Sequence, residues 1–279
     1  MSSSTSSRRS SAPAPLVAIN SLVFDVSGST YSMGDAPMEQ IHELMTKLKE
    51  DAITNNANIR LSLHTFNSTV RQVIPADLNE LSVDLRTFQI PSLAEIHTIL
   101  QPGGSTALYD AGIQGFDHLE KIYQHEWNKL SREVQDLNPY ISKCFVLSTD
   151  GMDNQSGHSI SGFKKRTLIA KENNVQPLFL FANIGSDMGK KMGFKKSNAA
   201  QFTPTYAGVT SMMRATTECL RQMSSGQTQT LDSQALTQDV EPVSPPPPQY
   251  DSSGVPVMPG IHLRQHANIG MAPPPLRRY

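Results

Sequence analysis

Asp25, Ser27 and Ser29 alternate along Asp25-Val26-Ser27-Gly28-Ser29, directly after the apolar run Leu22-Val23-Phe24. One carboxylate and two hydroxyls therefore gather where a buried strand runs into a tight turn. Hard oxygens held close together suit Mg²⁺, which takes near-octahedral oxygen ligands at about 2.0–2.1 Å and keeps several waters. Three such oxygens do not complete a shell, and two later segments carry the same chemistry. Gly103-Gly104-Ser105-Thr106-Ala107-Leu108 is a glycine turn ending in hydroxyls, just before a long helical pattern. Phe145-Val146-Leu147-Ser148-Thr149-Asp150-Gly151 is an apolar strand ending in a carboxylate and a glycine. Each cluster alone reads as a turn or a helix cap, roles that Ser, Thr and Asp fill readily. Together they fall at strand ends or in the loops beyond, and the carboxyl edge of an open parallel sheet is where ligands gather.

The elements that must position these groups can be read from periodicity. Val17–Phe24 is a short continuous apolar run and reads as a strand buried on both faces. Pro37 stands near the start of the next helix, where a missing N–H does no harm, and Ile41, Leu44, Met45 and Leu48 mark its apolar face. Arg60–Phe66 alternates as a strand, and Asn67-Ser68 turns it into Thr69–Ile74, an antiparallel hairpin at one sheet edge. Residues 75–102 show little periodicity. A helix follows from about Ala107 to Leu130, with Thr106 as its simplest N-cap. Ile141–Leu147 and Val175–Phe181 are further buried strands. The segments Ser159–Asn173 (basic), Asp187–Met192 (short) and Val209–Met223 read as helices. Strands alternating with helices predict an α/β, doubly wound fold. It has a mostly parallel central sheet, one antiparallel edge strand and helices on both faces.

Asp25-x-Ser27-x-Ser29, then Thr106 in a Gly-Gly-Ser-Thr loop, then Asp150 in Thr-Asp-Gly, resembles the three-part metal-ion-dependent adhesion site of von Willebrand factor A domains. The resemblance covers residues 17–223. Gly-Gly-Ser-Thr-Ala-Leu-Tyr-Asp-Ala and Thr-Asp-Gly-Met-Asp-Asn are more similar to intracellular and phage or viral members than to integrin inserts. So is Phe179-Leu180-Phe181-Ala182-Asn183 followed by Met192-Gly193-Phe194. The resemblance implies a Rossmann-like fold in which Ser27 and Ser29 bind the metal directly. Thr106 does so in the ligand-bound state, and Asp25 and Asp150 act directly or through water. Mg²⁺ is the implied ion, with Mn²⁺ or Ca²⁺ as alternatives. Two carboxylates against a divalent ion leave a nearly neutral cluster with an open position. An Asp or Glu carboxylate of a protein partner would complete it. Ser105 is expected as a hydrogen-bond partner of Asp25 or Asp150, Asp110 as a helix N-terminal charge, and Asp153 as a loop or capping residue.

Composition sets the limits. A chain of 279 residues with 38% apolar content can build one sizeable core. The net charge of −1 gives no hint of a nucleic-acid or acidic-membrane partner. Cys144 and Cys219 read as small core residues, which suits a reducing, cytoplasmic setting. No apolar run reaches the length of a membrane span. No Gly-x-Ser-x-Gly, phosphate-loop Gly-Lys pair or His-Glu-x-x-His stands in the chain, and the second aspartate that phosphoaspartyl hydrolases need is replaced by Ser27. His118 and Glu120 are expected to face solvent. No enzyme activity is expected, and a metal-dependent hydrolase is the weakest reading. Residues 1–15 (Ser/Pro-rich) and 224–279 (ten of the nineteen prolines) read as disordered tails around a domain at 16–223. Pro247, Pro248 and Tyr250 form a Pro-Pro-x-Tyr motif that resembles a WW-domain ligand, against the alternative of a chance match in a proline-rich stretch. The function expected is a divalent-cation-dependent protein–protein interaction module. The alternative is a scaffold acting through that tail, with a purely structural metal.

Overall fold

A computed structural model of the chain describes residues 15–228. The expected tails, apart from a few residues at their inner ends, and the motif at Pro247, Pro248 and Tyr250 lie outside the described residues.

Among the described residues the sheet has seven strands. Its central strand β1 (Val17–Asp25) is buried throughout, flanked in parallel by β2 (Ile59–Phe66) and β5 (Ile141–Thr149). Beyond β5 come β6 (Gln176–Phe181) and β7 (Ala199–Gln201), both parallel. At the opposite edge two short strands share one side of β2, each antiparallel to it. There β3 (Val70–Ile74) pairs with Leu63–Phe66, and β4 (Val83–Asp84) pairs with Arg60 and Leu61. The expected antiparallel edge is thus real but is built from two strands end to end.

Alternation along the strands divides the core into two layers. Ala18, Leu22 and Phe24 point with Cys144 and Val146 toward α1 (Ala36–Thr54), α2 (Leu93–Ile99) and α7 (Tyr206–Ser224). Val17, Ile19 and Val23 point with Phe145 and Leu147 toward α3 (Leu108–Asn128), α5 (Ile160–Glu172) and α6 (Met188–Lys191). A further helix, α4 (Arg132–Asp136), lies between α3 and β5 in the chain. The α3–α5 contact depends on Gly112, because a Cβ there would fall 1.9 Å from Phe163 Cε2.

Four elements lie where periodicity gave no signal, α4 among them. Helix α2 opens with a capping box in which Ser92 and Glu95 satisfy each other's backbone N–H groups. Strands β4 and β7 have two and three residues, too short for any period to register. His118 also departs from expectation. Its Nε2 lies 2.7 Å from Leu81 O, and its ring meets buried His64 edge-on at 4.5 Å between centroids. It packs because α3 lies across β2 at that point. Cys144 and Cys219 are buried, and the Cys144 thiol rests 3.4 Å from Met223 Sδ. No helix among the described residues is long and apolar enough to cross a membrane.

Candidate metal centre

The site is assembled from three chain segments at the carboxyl ends of β1 and β5 and the turn before α3. Asp25 is the last residue of β1. Its Oδ1 accepts the Ser27 backbone N–H at 2.7 Å, which folds Val26 and Ser27 back over the strand end. Thr30 then donates both its N–H (3.1 Å) and its hydroxyl (2.8 Å) to Ser27 O, closing the helical turn Gly28–Met33. This local geometry brings Ser27 Oγ to 3.1 Å from Ser29 Oγ. Across the sheet, Ser29 Oγ donates to Asp150 Oδ1 at 2.7 Å. Four of the five expected donors, Asp25, Ser27, Ser29 and Asp150, are therefore linked by direct contact or through one backbone amide.

Thr106 arrives by a different route. The Gly103-Gly104 turn is pinned to the first segment by Gly103 N–H to Val26 O (2.8 Å) and Gly28 N–H to Gly104 O (3.1 Å). Gly104 adopts φ +79°, and a Cβ there would fall 2.9 Å from Ser68 Oγ, so only glycine fits this turn. Thr106 does not cap α3. The N-cap is Ala107, without a side-chain bond, and the free N–H groups of Tyr109 and Asp110 are taken by Ser156 Oγ at 3.0 and 3.1 Å. A serine from the β5–α5 loop thus does the capping, and the Thr106 hydroxyl is left for other use. It lies beside Gly151, where a Cβ would stand 3.7 Å from Ser29 Oγ and 3.8 Å from Thr106 Oγ1. Glycine at 151 keeps the space between the two hydroxyls open.

Ser105 does not take its expected place. Its backbone N–H binds Ser68 Oγ at 3.0 Å, and the hydroxyl on Asp25 Oδ2 is that of Thr149 at 2.6 Å. Asp110 is no ligand. It accepts the N–H groups of Gly157 and His158, both at 2.9 Å, and the His158 ring at 2.7 Å. Asp153 accepts Ser156 Oγ at 2.5 Å and stays in the loop.

Sequence reasoning missed Asn154. Its side-chain oxygen accepts Thr106 N–H at 2.8 Å and its own N–H donates to Thr106 O at 3.0 Å. This two-point clamp fixes the Thr106 backbone to the loop that carries Asp150. Asn154 was visible only as the last residue of Thr-Asp-Gly-Met-Asp-Asn, and nothing in its spacing announced the contact.

Electrostatics mark the cluster as short of positive charge. Burial pushes the Asp25 carboxyl up to about 6, against the lowering effect of its Thr149 and Ser27 bonds, and the Asp150 charge adds to the rise. Burial also raises Asp150, and the Ser29 bond only partly offsets it. Asp150 is 1% exposed, and its Oδ2 is buried with no hydrogen-bond partner. A buried carboxylate oxygen left unpaired is costly. A divalent cation would satisfy it, and the donors around it, carboxylate and hydroxyl, are the hard oxygens such an ion takes. The residues present therefore fit the ion. Among the described residues no group of three or more His, Cys, Asp or Glu could hold a metal, so a more highly charged site does not compete.

Neither a scan against family models nor a search of curated proteins gives a match to the chain. Solved structures do match in fold. The pilus adhesin SpaC from Lactobacillus rhamnosus GG is 13% identical with a TM-score of 0.53, over 75% of this chain and 31% of that one. A von Willebrand factor type A structure from Catenulispora acidiphila is 15% identical with a TM-score of 0.48, over 75% of this chain and 43% of that one. Proximal thread matrix protein 1 from the mussel byssus, solved with a zinc-occupied MIDAS motif, is 15% identical with a TM-score of 0.46, over 75% and 46%. The matched region spans less than half of each of these chains. What is shared with the pilus adhesin, at this identity, is the fold alone.

Proposed function

We propose that this chain is a divalent-cation-dependent protein-binding module, with Asp25, Ser27, Ser29, Thr106 and Asp150 as the metal ligands and Mg²⁺ as the ion. The observation that carries the reading is the partnerless, buried Asp150 Oδ2, on the carboxylate whose other oxygen accepts the Ser29 hydroxyl. The bound ion would supply an open coordination position at which an Asp or Glu carboxylate of a partner protein binds.

The chain's own residues prepare that position. Thr149 and the Ser27 amide orient Asp25, Ser29 holds Asp150, and the Asn154 clamp sets Thr106. Ser29 is exposed while Asp25, Ser27, Thr106 and Asp150 are buried, so the cluster opens to solvent on one side only. With only two carboxylates in the set, an incoming anion meets little repulsion. The reading is one of binding without turnover. Buried Cys144 and Cys219, placed as small core residues, support a reducing, cytoplasmic setting.

Affinity capture from a native lysate, in parallel with Mg²⁺ and with chelator, tests the reading. Partners that appear only with Mg²⁺ and vanish with Asp25→Ala are expected. The same proteins retained in chelator, or by the variant, would refute it.

A further inference from the structure

The exposed face of α5 is unlike the rest of the surface. Residues 160–196 hold eight Lys or Arg against two acids, in a chain whose net charge is −1. Ser161, Lys164, Lys165, Leu168, Ile169 and Glu172 form one exposed stripe at helical spacing. Leu168 and Ile169 are 43% and 39% exposed, so the stripe is apolar as well as basic. Beside it, Lys164 Cγ and Lys164 O stand 3.3 Å from where a Gly193 Cβ would be, and Lys171 Nζ donates to Gly193 O at 3.4 Å. That packing draws Lys195 close enough to Lys171 to oppose its charge, after burial the main cause of the lowered Lys171 ammonium. Lys190 and Lys195 are exposed like Lys164 and Lys165, and none of the four is in an ion pair among the described residues. Arg166, the lone guanidinium here, is taken by Asp117 at 2.6 Å. Nearby Phe163, Phe179 and Phe194 are all buried, so the face offers no aromatic platform for a nucleobase.

We propose that this face is the docking site for residues 229–242 of the same chain. The segment carries Asp232, Asp239 and Glu241 and no Lys or Arg, with Leu231, Leu236 and Val240 set among them. Its charge and its apolar positions complement the lysines and the Leu168–Ile169 pair.

The path is short. Helix α7 ends at Ser224, and Met223 Sδ touches Cys144 Sγ at the start of β5. Cys144 pairs with Gln176, the first residue of β6, and the adjoining Val175 N–H binds Ala170 O at the foot of α5. The chain therefore leaves the described fold near the end of the sheet at which α5 hands over to β6, but on the opposite face, so it must round that end to reach α5. The eleven residues from Thr228 to Asp239 span up to about 36 Å extended, a reach that covers the passage round the sheet end and part of the roughly 20 Å length of α5. Tethering also gives the segment an effective concentration on the order of millimolar, so a weak charge-driven contact is populated.

Carbodiimide cross-linking of the full chain, with the products read by peptide mass spectrometry, decides the matter. Expected are lysine–carboxylate links from Asp232, Asp239 or Glu241 to Lys164, Lys165, Lys190 or Lys195. Their yield should drop about ten-fold in about 0.5 M NaCl, where screening shortens to roughly 4 Å. It should fall to background in the full-length variant Asp232→Asn/Asp239→Asn/Glu241→Gln, whose α5 amide resonances should shift relative to the parent. A mixture of isotopically heavy and light chains should give no heavy–light links. Absence of these links, unmoved α5 resonances, or heavy–light links pointing to a second copy would each overturn the proposal. The outcome is independent of the metal site.

Discussion

The two oxygens of Asp150 have different surroundings: Oδ1 accepts Ser29, while Oδ2 is buried and unpaired. Without an ion the charge at this position disfavours the fold, so Asp150→Asn should raise the melting temperature of metal-free protein and abolish any further rise on adding Mg²⁺. Thermal unfolding with and without Mg²⁺ checks both signs at once. The Asn154 clamp predicts a different pattern. Asn154→Ala should cost about 1 kcal/mol of stability, a typical hydrogen-bond contribution. Its larger effect should be on calorimetric Mg²⁺ affinity, lower by about 10–100-fold, as when groups that orient metal ligands are lost. At this scale the five proposed donors could be picked out in the sequence by residue type and spacing. Thr149, Asn154 and Ser156 could not, because each acts on a residue 46 to 124 positions away. No local pattern encodes such a contact.

At the level of elements, the long ones were readable and the short ones were not. β1 and β5, buried on both faces, announce themselves as continuous apolar runs, and α3 and α7 by their apolar stripes. The capping signal Ser92-Leu93-Ala94-Glu95 stood in plain sight, but only seven helical residues follow it, with a single buried apolar side chain. Packing between elements yields two predictions. Gly112→Ala would drive a methyl into Phe163 and should destabilise by about 1–3 kcal/mol or more, measured by urea unfolding. The second concerns His64, which burial first and then neighbouring His118 hold down to about 3 from 6.5. The unfolded chain takes up a proton that the folded one refuses, so stability falls as pH drops below 6.5 and goes on falling to about 3. The slope is at most about 1.4 kcal/mol per pH unit. Asp25, raised to about 6, works in the opposite sense in metal-free protein, since its protonated form is favoured in the fold. The readout is therefore the difference between the protein and His64→Leu across pH 7 to 4, which should shrink if His64 is kept neutral by its burial.

Over the whole molecule, the sheet places three segments separated by long stretches of chain on one edge, and the edge makes the site. The doubly wound architecture followed from alternating strand and helix patterns. The two-strand construction of the antiparallel edge did not, because β3 and β4 are distinguished only by where they meet β2. An ion held by the proposed ligands would join β1, the turn before α3 and the end of β5, and should stabilise the fold as a unit. At a concentration about 100 times its dissociation constant, Mg²⁺ should add roughly 2.7 kcal/mol. The central claim is tested most directly by calorimetric titration of chelator-treated protein with Mg²⁺, run beside Asp25→Ala and Asp150→Ala. The account predicts one binding event per chain that disappears in both variants. Binding that persists unchanged in the variants, or no binding by the parent protein at millimolar Mg²⁺, would contradict it.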